Sequence, residues 1–243
     1  MQRHWLGLLL VIVLSSAAGP CPSGQSIDPA GAVASTPSDW SLDARYKYSE
    51  SDHKKFLGWI AAAIRESSAS DRGAIIVDKA DHCLYLIRGK QLILWYPVEL
   101  GGYNPFDPKT MIYDGCTPEG VYQVAEIKEG ARTKYHRAFL IDYPNAEDRV
   151  AYARLRREGR IPPDRSIGGL IEIHGGGTGF GGNNFGRDWT AGCVALADSY
   201  MDRLAPHVQV GTRVVIVRYG TRFPDEITPG LPNLYRWNRE DHR

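Results

Sequence analysis

The sequence predicts a β-rich fold with a few short helices, and three observations carry that prediction. From residue 74 onward, runs rich in Ile, Val, Leu, Tyr and Trp are short and bounded by Gly, Pro, Asp and Lys, the pattern of strands rather than helices. Two of these runs are joined by Arg88-Gly89-Lys90, a hairpin turn. Helical periodicity is confined to stretches before and between the strand-like runs. The 243 residues are 43% hydrophobic and 23% charged, an ordinary globular composition, and the length allows one large domain with appendages. The formal charge of +1, with Lys and Arg scattered along the chain, gives no sign of a nucleic-acid partner.

Residues 1–18 read as a secretory signal: Arg3 and His4, an apolar run from Trp5 to Leu14, then Ser16 and Ala18 at the small-residue cleavage positions. The apolar run is too short to cross a bilayer. Cys21 follows Pro20, where a lipidation motif wants a small residue, so membrane attachment is expected only if Cys21 is nonetheless lipidated. Export to the periplasm or cell envelope implies an oxidising compartment. Cys83, Cys116 and Cys193 are then candidates for pairing, and spacing alone does not assign them.

Residues 19–45, rich in Pro, Ser, Gly and Ala, read as a flexible tether. Within 46–70, apolar residues at 56, 59, 60, 63 and 64 form the stripe of an amphipathic helix capped at Ser51 or Asp52. The domain proper spans 71–219. Its strands are expected at 74–78, 83–87, 91–98, 120–127, 138–142, 169–174 and 212–219, with helices near 146–158 and 198–205. Asp198 is read as the cap of the last helix. The tail at 220–243 carries Pro224, Pro229 and Pro232 and reads as irregular.

The chemistry concentrates in "HGGGTGFGGNNFGRDWTAGC", from His174 to Cys193. A Cys–His pair is an activated nucleophile, because an imidazole lowers the cost of forming the thiolate. Glycines let backbone approach a substrate closely and turn N–H groups toward a developing oxyanion. Thr190-Ala191-Gly192-Cys193 forms such a turn, with Gly192 and Cys193 as donors. The alternative is a buried structural cysteine and an unrelated histidine. "HGGG" without G-x-S-x-G does not make a serine hydrolase, and "GTGFG" lacks the strand–loop–helix context of a nucleotide site. No Cys/His spacing suits zinc, and no metal or organic cofactor is expected. The neighbours His82 and Cys83 lie in a strand pattern and point to opposite faces, so they form no dyad. Residues 128–165 hold ten Lys/Arg against six Asp/Glu, a solvated face or a surface for a carboxylate-bearing substrate.

Taken together and in order, these pieces resemble the L,D-transpeptidase (YkuD-type) family, in particular its YafK-like branch. The resemblance covers roughly 72–219: the "AIIVDKADHCLYLIRGKQLILWYPVELG" hairpin, "TPEG", "YPNAEDR", "IHGGG", "DWTAGCVAL" and "VGTRVVI". It implies a mixed β-sandwich or barrel-like sheet with flanking helices, in a single catalytic domain. It also implies a cysteine acyl-transfer enzyme acting on peptidoglycan stem peptides. Cys193 matches the nucleophile and His174 the base. Gly175 supplies the carbonyl that orients the imidazole, and Gly192 belongs to the oxyanion hole. Arg187, Trp189 and Thr190, just before the nucleophile, are candidates for substrate contact. Ala191 and Ala195 depart from the commonest motif, which carries His and Arg or Asn there. Hydrolysis of the same stem peptides is the alternative activity, and a non-catalytic wall-binding module the alternative of another class.

Overall fold

The structure, a computed structural model, describes residues 49–70, 72–80, 82–102, 107–179 and 188–218. The expected signal, tether and tail lie outside these residues, as does Arg187. Helix α1 (Glu50–Ala69) precedes strands β1 (Ala74–Asp78), β2 (Cys83–Arg88), β3 (Gln91–Pro97), β4 (Gly120–Glu129) and β5 (Arg137–Ile141). Helix α2 (Ala146–Arg157), β6 (Glu172–His174), β7 (Val194–Ala195), α3 (Asp198–Leu204) and β8 (Arg213–Val217) complete the order. The strands make one curled, mixed eight-stranded sheet in the order β3-β2-β1-β8-β4-β5-β6-β7. Neighbours are antiparallel except β1 with β8 and β6 with β7.

Side-chain alternation explains why some strands read as unbroken apolar runs. In β1, Ile75 and Val77 enter the main core, while Ala74 and Ile76 face α1 on the other side. β2 and β8 divide the same way, with Leu84, Leu86, Val214 and Ile216 inward and Tyr85, Ile87, Val215 and Val217 under the helix. Both faces of these strands are covered, so no polar residue is needed. β4 instead alternates buried residues with partly or fully exposed ones over its first half.

Helix α1 starts one turn earlier than its apolar stripe suggested. Ser49 is the N-cap, and Asp52 closes a capping box with it rather than capping alone. The stripe itself holds: Phe56, Ile60, Ala63 and Ile64 are all buried against the sheet. α2 is capped by Asn145, with Asp148 as its box partner. In α3 the cap position is Ala197, and Asp198 is the first helical residue; its carboxylate accepts the Gly176 N–H at 2.8 Å instead. The expected strand 169–174 shortens to Glu172–His174 because Leu170 adopts a left-handed φ of 57°. Cys83 is disulfide-bonded, and Cys116 and Cys193 are free thiols.

Ile60 is fully buried between α1 and the sheet. Ile60→Ala should therefore cost about 2–5 kcal/mol in chemical denaturation, against about 1 kcal/mol for Ser49→Ala, which removes only a cap. A loss at Ile60 no larger than at Ser49 would show that α1 is not docked as described.

Candidate active site

The site forms where β6 ends. β6 and β7 run parallel, with Ile173 opposite Val194 and His174 opposite Ala195. Cys193 immediately precedes β7, which sets it beside Glu172. Alternation along the strands then gives Glu172, His174 and Cys193 a common face.

His174 is fully buried. Its Nδ1 lies 2.6 Å from the Gly175 carbonyl oxygen. A carbonyl only accepts, so Nδ1 carries the proton and a neutral ring presents a bare Nε2. Nε2 is buried and has no hydrogen-bond partner among the described residues. Burial holds the imidazole below its ordinary pKa, opposed by the Gly175 bond and by the charges of Glu172 and Glu99, with Lys134 adding to the lowering. The ring is fixed from two sides. Tyr135 stacks on it with centroids 3.6 Å apart and planes 6° from parallel, and Trp189 meets it edge-on at 5.8 Å.

Cys193 is half-buried. Its Sγ accepts the Glu172 N–H at 3.4 Å and donates to the Leu170 carbonyl at 3.7 Å. Burial pushes the thiol above its ordinary pKa; the Glu172 N–H and the Lys134 and Lys109 charges pull the other way, and the Glu172 carboxylate reinforces burial. The sequence suggests a thiol depressed by its histidine. Burial acts on both groups against the ion pair, raising the thiol and lowering the imidazole, and among the described residues no hydrogen bond joins them.

The turn before the thiol is closed by Thr190. Its hydroxyl donates to the Cys193 carbonyl at 2.8 Å and accepts the Gly192 N–H at 3.1 Å. Thr190, expected to contact substrate, is thus committed to the turn, and so is the Gly192 N–H expected in the oxyanion hole. Gly192 has φ 127°, and a Cβ there would stand 2.5 Å from the Cys116 carbonyl oxygen. Gly177 is equally constrained: a Cβ would lie 2.9 Å from the Leu196 carbonyl carbon, while its N–H donates to the Leu196 oxygen at 2.8 Å. The glycines serve close backbone approach.

Several site residues were missed from the sequence. The buried Glu99 carboxylate accepts the Thr178 N–H at 2.7 Å, the Thr178 hydroxyl and the Trp189 indole N–H. It joins the two described ends of the glycine-rich segment and holds Trp189 against His174. The only signal was an acidic residue inside the apolar "WYPVELG". Asp188 accepts the Leu100 N–H at 2.8 Å and pairs with His82 at 2.9 Å. His82 sits in the turn before β2 with φ 50°, not on the strand. The loop before β4 is pinned by the buried Lys79 ammonium, which donates to the carbonyls of Asp107 and Thr117 and to Glu119. Burial lowers the Lys79 pKa against the pull of Glu119. Asp114 accepts three backbone N–H groups and Lys109 within the same loop. Of the basic residues expected near the site, Lys128 pairs with Glu172 at 2.9 Å, whereas Arg154 and Arg160 lie beside Glu158 near the end of α2.

Residues 72–216 match the L,D-transpeptidase catalytic domain, YkuD. Among solved structures, Bd1075 of Bdellovibrio bacteriovorus is 22% identical with a TM-score of 0.46, covering 71% of this chain and 57% of its own. The helical cell shape determining protein Pgp2 of Campylobacter jejuni is 23% identical with a TM-score of 0.44, covering 69% and 57%. An L,D-transpeptidase of Xylanimonas cellulosilytica is 15% identical with a TM-score of 0.41, covering 60% of each chain. The chain thus spans less than two thirds of the length of these structures. A search of curated proteins returns no match.

The raised thiol sets a measurable outcome. Alkylation of Cys193 by iodoacetamide, followed by peptide mass mapping, should be slow at neutral pH and climb steadily into the alkaline range. Cys116, pushed up to about 11 by burial and by Asp114, should lag behind it. A rate plateau at pH 6–7 would reveal a preformed thiolate–imidazolium pair and contradict this geometry.

Proposed function

Because the chain belongs to the family of L,D-transpeptidase catalytic domains, we propose that it is a cysteine acyl-transfer enzyme acting on peptidoglycan stem peptides. The observation that carries the reading is the tautomer of His174. Its proton is committed to the Gly175 carbonyl, which leaves a buried, unpartnered Nε2 on the face that also holds Cys193. Such a nitrogen is a general base waiting for a proton.

In this reading Nε2 takes the thiol proton as Sγ attacks the carbonyl between an L- and a D-centre. The C–S bond forms, the C–N bond breaks, and the imidazolium returns its proton to the departing amine. The thioester then passes to an acceptor amine, regenerating the thiol. Since Thr190 occupies the Gly192 N–H, the Cys193 N–H is the remaining member of the expected oxyanion pair. Tyr135 and Trp189 keep the imidazole from rotating while it carries charge. Transfer is preferred over hydrolysis because Lys128 and Lys134 of the basic segment stand near the nucleophile, where a second peptide can be received. The protein works in the periplasm or cell envelope, delivered by the signal at 1–18.

Tetrapeptide muropeptides incubated with the enzyme, with and without an added D-amino acid, test this by mass spectrometry. Exchange products or cross-linked dimers are expected. Tripeptides alone at every amine concentration would make water the acceptor, and no conversion would refute the enzyme reading in favour of a binding module. His174→Ala should lower kcat by roughly a hundred- to ten-thousand-fold, the usual worth of a general base, and Cys193→Ser should abolish turnover.

A further inference from the structure

Leu170 is out of place by two physical criteria at once. Its backbone is left-handed, with φ 57°, and its side chain is 74% exposed. Left-handed backbone crowds the Cβ of an L-residue, so it is left mainly to Gly, Asn and Asp, and a bulky apolar residue there is an outlier. His82 is strained in the same way, but its imidazole is buried and paired with Asp188. The Leu170 side chain has no such burial.

The surrounding sequence sharpens the point. Leu170 follows Gly168 and Gly169, and Gly168 itself uses a φ of 84°. The chain supplies glycine freely in this loop, yet places leucine at the position where glycine would remove both the strain and an exposed isobutyl group. The left-handed turn has a purpose for the backbone. It carries the Leu170 carbonyl to within 3.7 Å of Cys193 Sγ and leads into Ile171, which is buried, and Glu172, whose N–H reaches the same sulfur. A glycine would turn the chain equally well. The side chain is therefore the part left to explain, and it stands in solvent on the residue whose carbonyl reaches the nucleophile. Strained residues of this kind persist where the surroundings use them, typically at ligand clamps.

We propose that Leu170 is a substrate-contacting residue: its isobutyl group packs against the aliphatic part of the stem-peptide residue that flanks the bond attacked by Cys193. The inference rests on the stem-peptide reading above. The loop beside it is built the same way. Tyr113, with φ 63° and 76% exposure, follows Ile112, whose N–H donates to Ser166 at 2.8 Å and whose Cα packs on Gly168. Two apolar side chains are thus held outward on two loops that lean on each other, and Leu170 is the one whose carbonyl reaches the sulfur.

The test compares wild type, Leu170→Gly and Leu170→Met on a tetrapeptide muropeptide, alongside thermal melting and iodoacetamide alkylation of Cys193. Leu170→Gly should melt no lower than wild type yet lose about 10- to 200-fold in kcat/KM, the range for a missing apolar contact in a substrate pocket. Leu170→Met, which keeps an apolar side chain of similar reach, should retain most of the activity. Alkylation by iodoacetamide, which has no peptide side chain to contact, should be unchanged in both. Full activity in Leu170→Gly overturns the proposal. So does alkylation that falls in step with turnover, because leucine would then act through the thiol. If wild type itself converts no muropeptide, the stem-peptide reading fails and takes this inference with it; a failure of the Leu170 variants alone leaves that reading standing.

Discussion

Cys193 shares a face with His174 because of a parallel backbone pairing only two residues long, between β6 and β7. Such a pairing cannot hold itself, and it is clamped on both flanks. Ala195 exchanges both of its backbone bonds with Glu99, the Leu196 N–H donates to the His174 carbonyl, and the Gly177 N–H returns to the Leu196 carbonyl. Each bond contributes about 0.5–1.5 kcal/mol net, but leaving a buried partner unmade costs about 1–3 kcal/mol. The clamp is thus enforced more by the penalty for losing it than by its own strength. Gly177 is the point at which a side chain would prevent it, since a Cβ would collide with Leu196. At Gly177 and Gly192, glycine is a packing requirement.

Loops cannot be held by apolar burial alone, because every peptide in them carries polar groups that need partners. This protein uses buried charges as anchors. Glu99 gathers Thr178 and Trp189, Asp114 gathers Thr110, Met111 and Cys116, and Lys79 gathers Asp107, Thr117 and Glu119. Desolvating an ion costs several kcal/mol unless its hydrogen-bonding capacity is filled. Here the partners are mainly backbone groups of a single loop, so each ion fixes a loop conformation as it is satisfied. Through the Cys116 carbonyl, which lies against Gly192, the Lys79 and Asp114 anchors reach the turn that carries the nucleophile.

The fold was legible in the sequence where burial has a period. β1, β2 and β8 were read from apolar runs, and α1 from its stripe, because each side chain there reports which face is covered. His174 and Cys193 were singled out because thiol, imidazole and glycine stand in one stretch and because that stretch resembles the L,D-transpeptidase motif; the strand register gives both residues the same face. What failed was whatever depends on backbone sign or on distant partners. "GLIEIH" looks like an unbroken strand, since nothing in the letters reports that Leu170 turns left-handed. β7 is too short to leave a pattern. Glu99 and Asp188 are single acidic letters whose meaning lies 79 to 106 residues away along the chain, in Thr178 and in His82. Asp198 was read as a cap because capping is local; its carboxylate instead serves the Gly176 N–H across the sequence.

The resting state of the dyad follows from the same burial that builds it. A thiolate is both the nucleophile and the form that peroxide and disulfides attack. Burial raises the Cys193 thiol and lowers the His174 imidazole, so it favours the neutral pair over the ion pair from both sides. The thiol proton meanwhile points to the Leu170 carbonyl rather than to Nε2. In the proposed mechanism, transfer to His174 requires the thiol to leave that carbonyl, and a peptide packing on Leu170 as proposed would arrive at the contact that has to break. On the reading proposed above, the turn at Leu170 serves two ends: its carbonyl accepts the thiol proton, and its side chain meets the peptide.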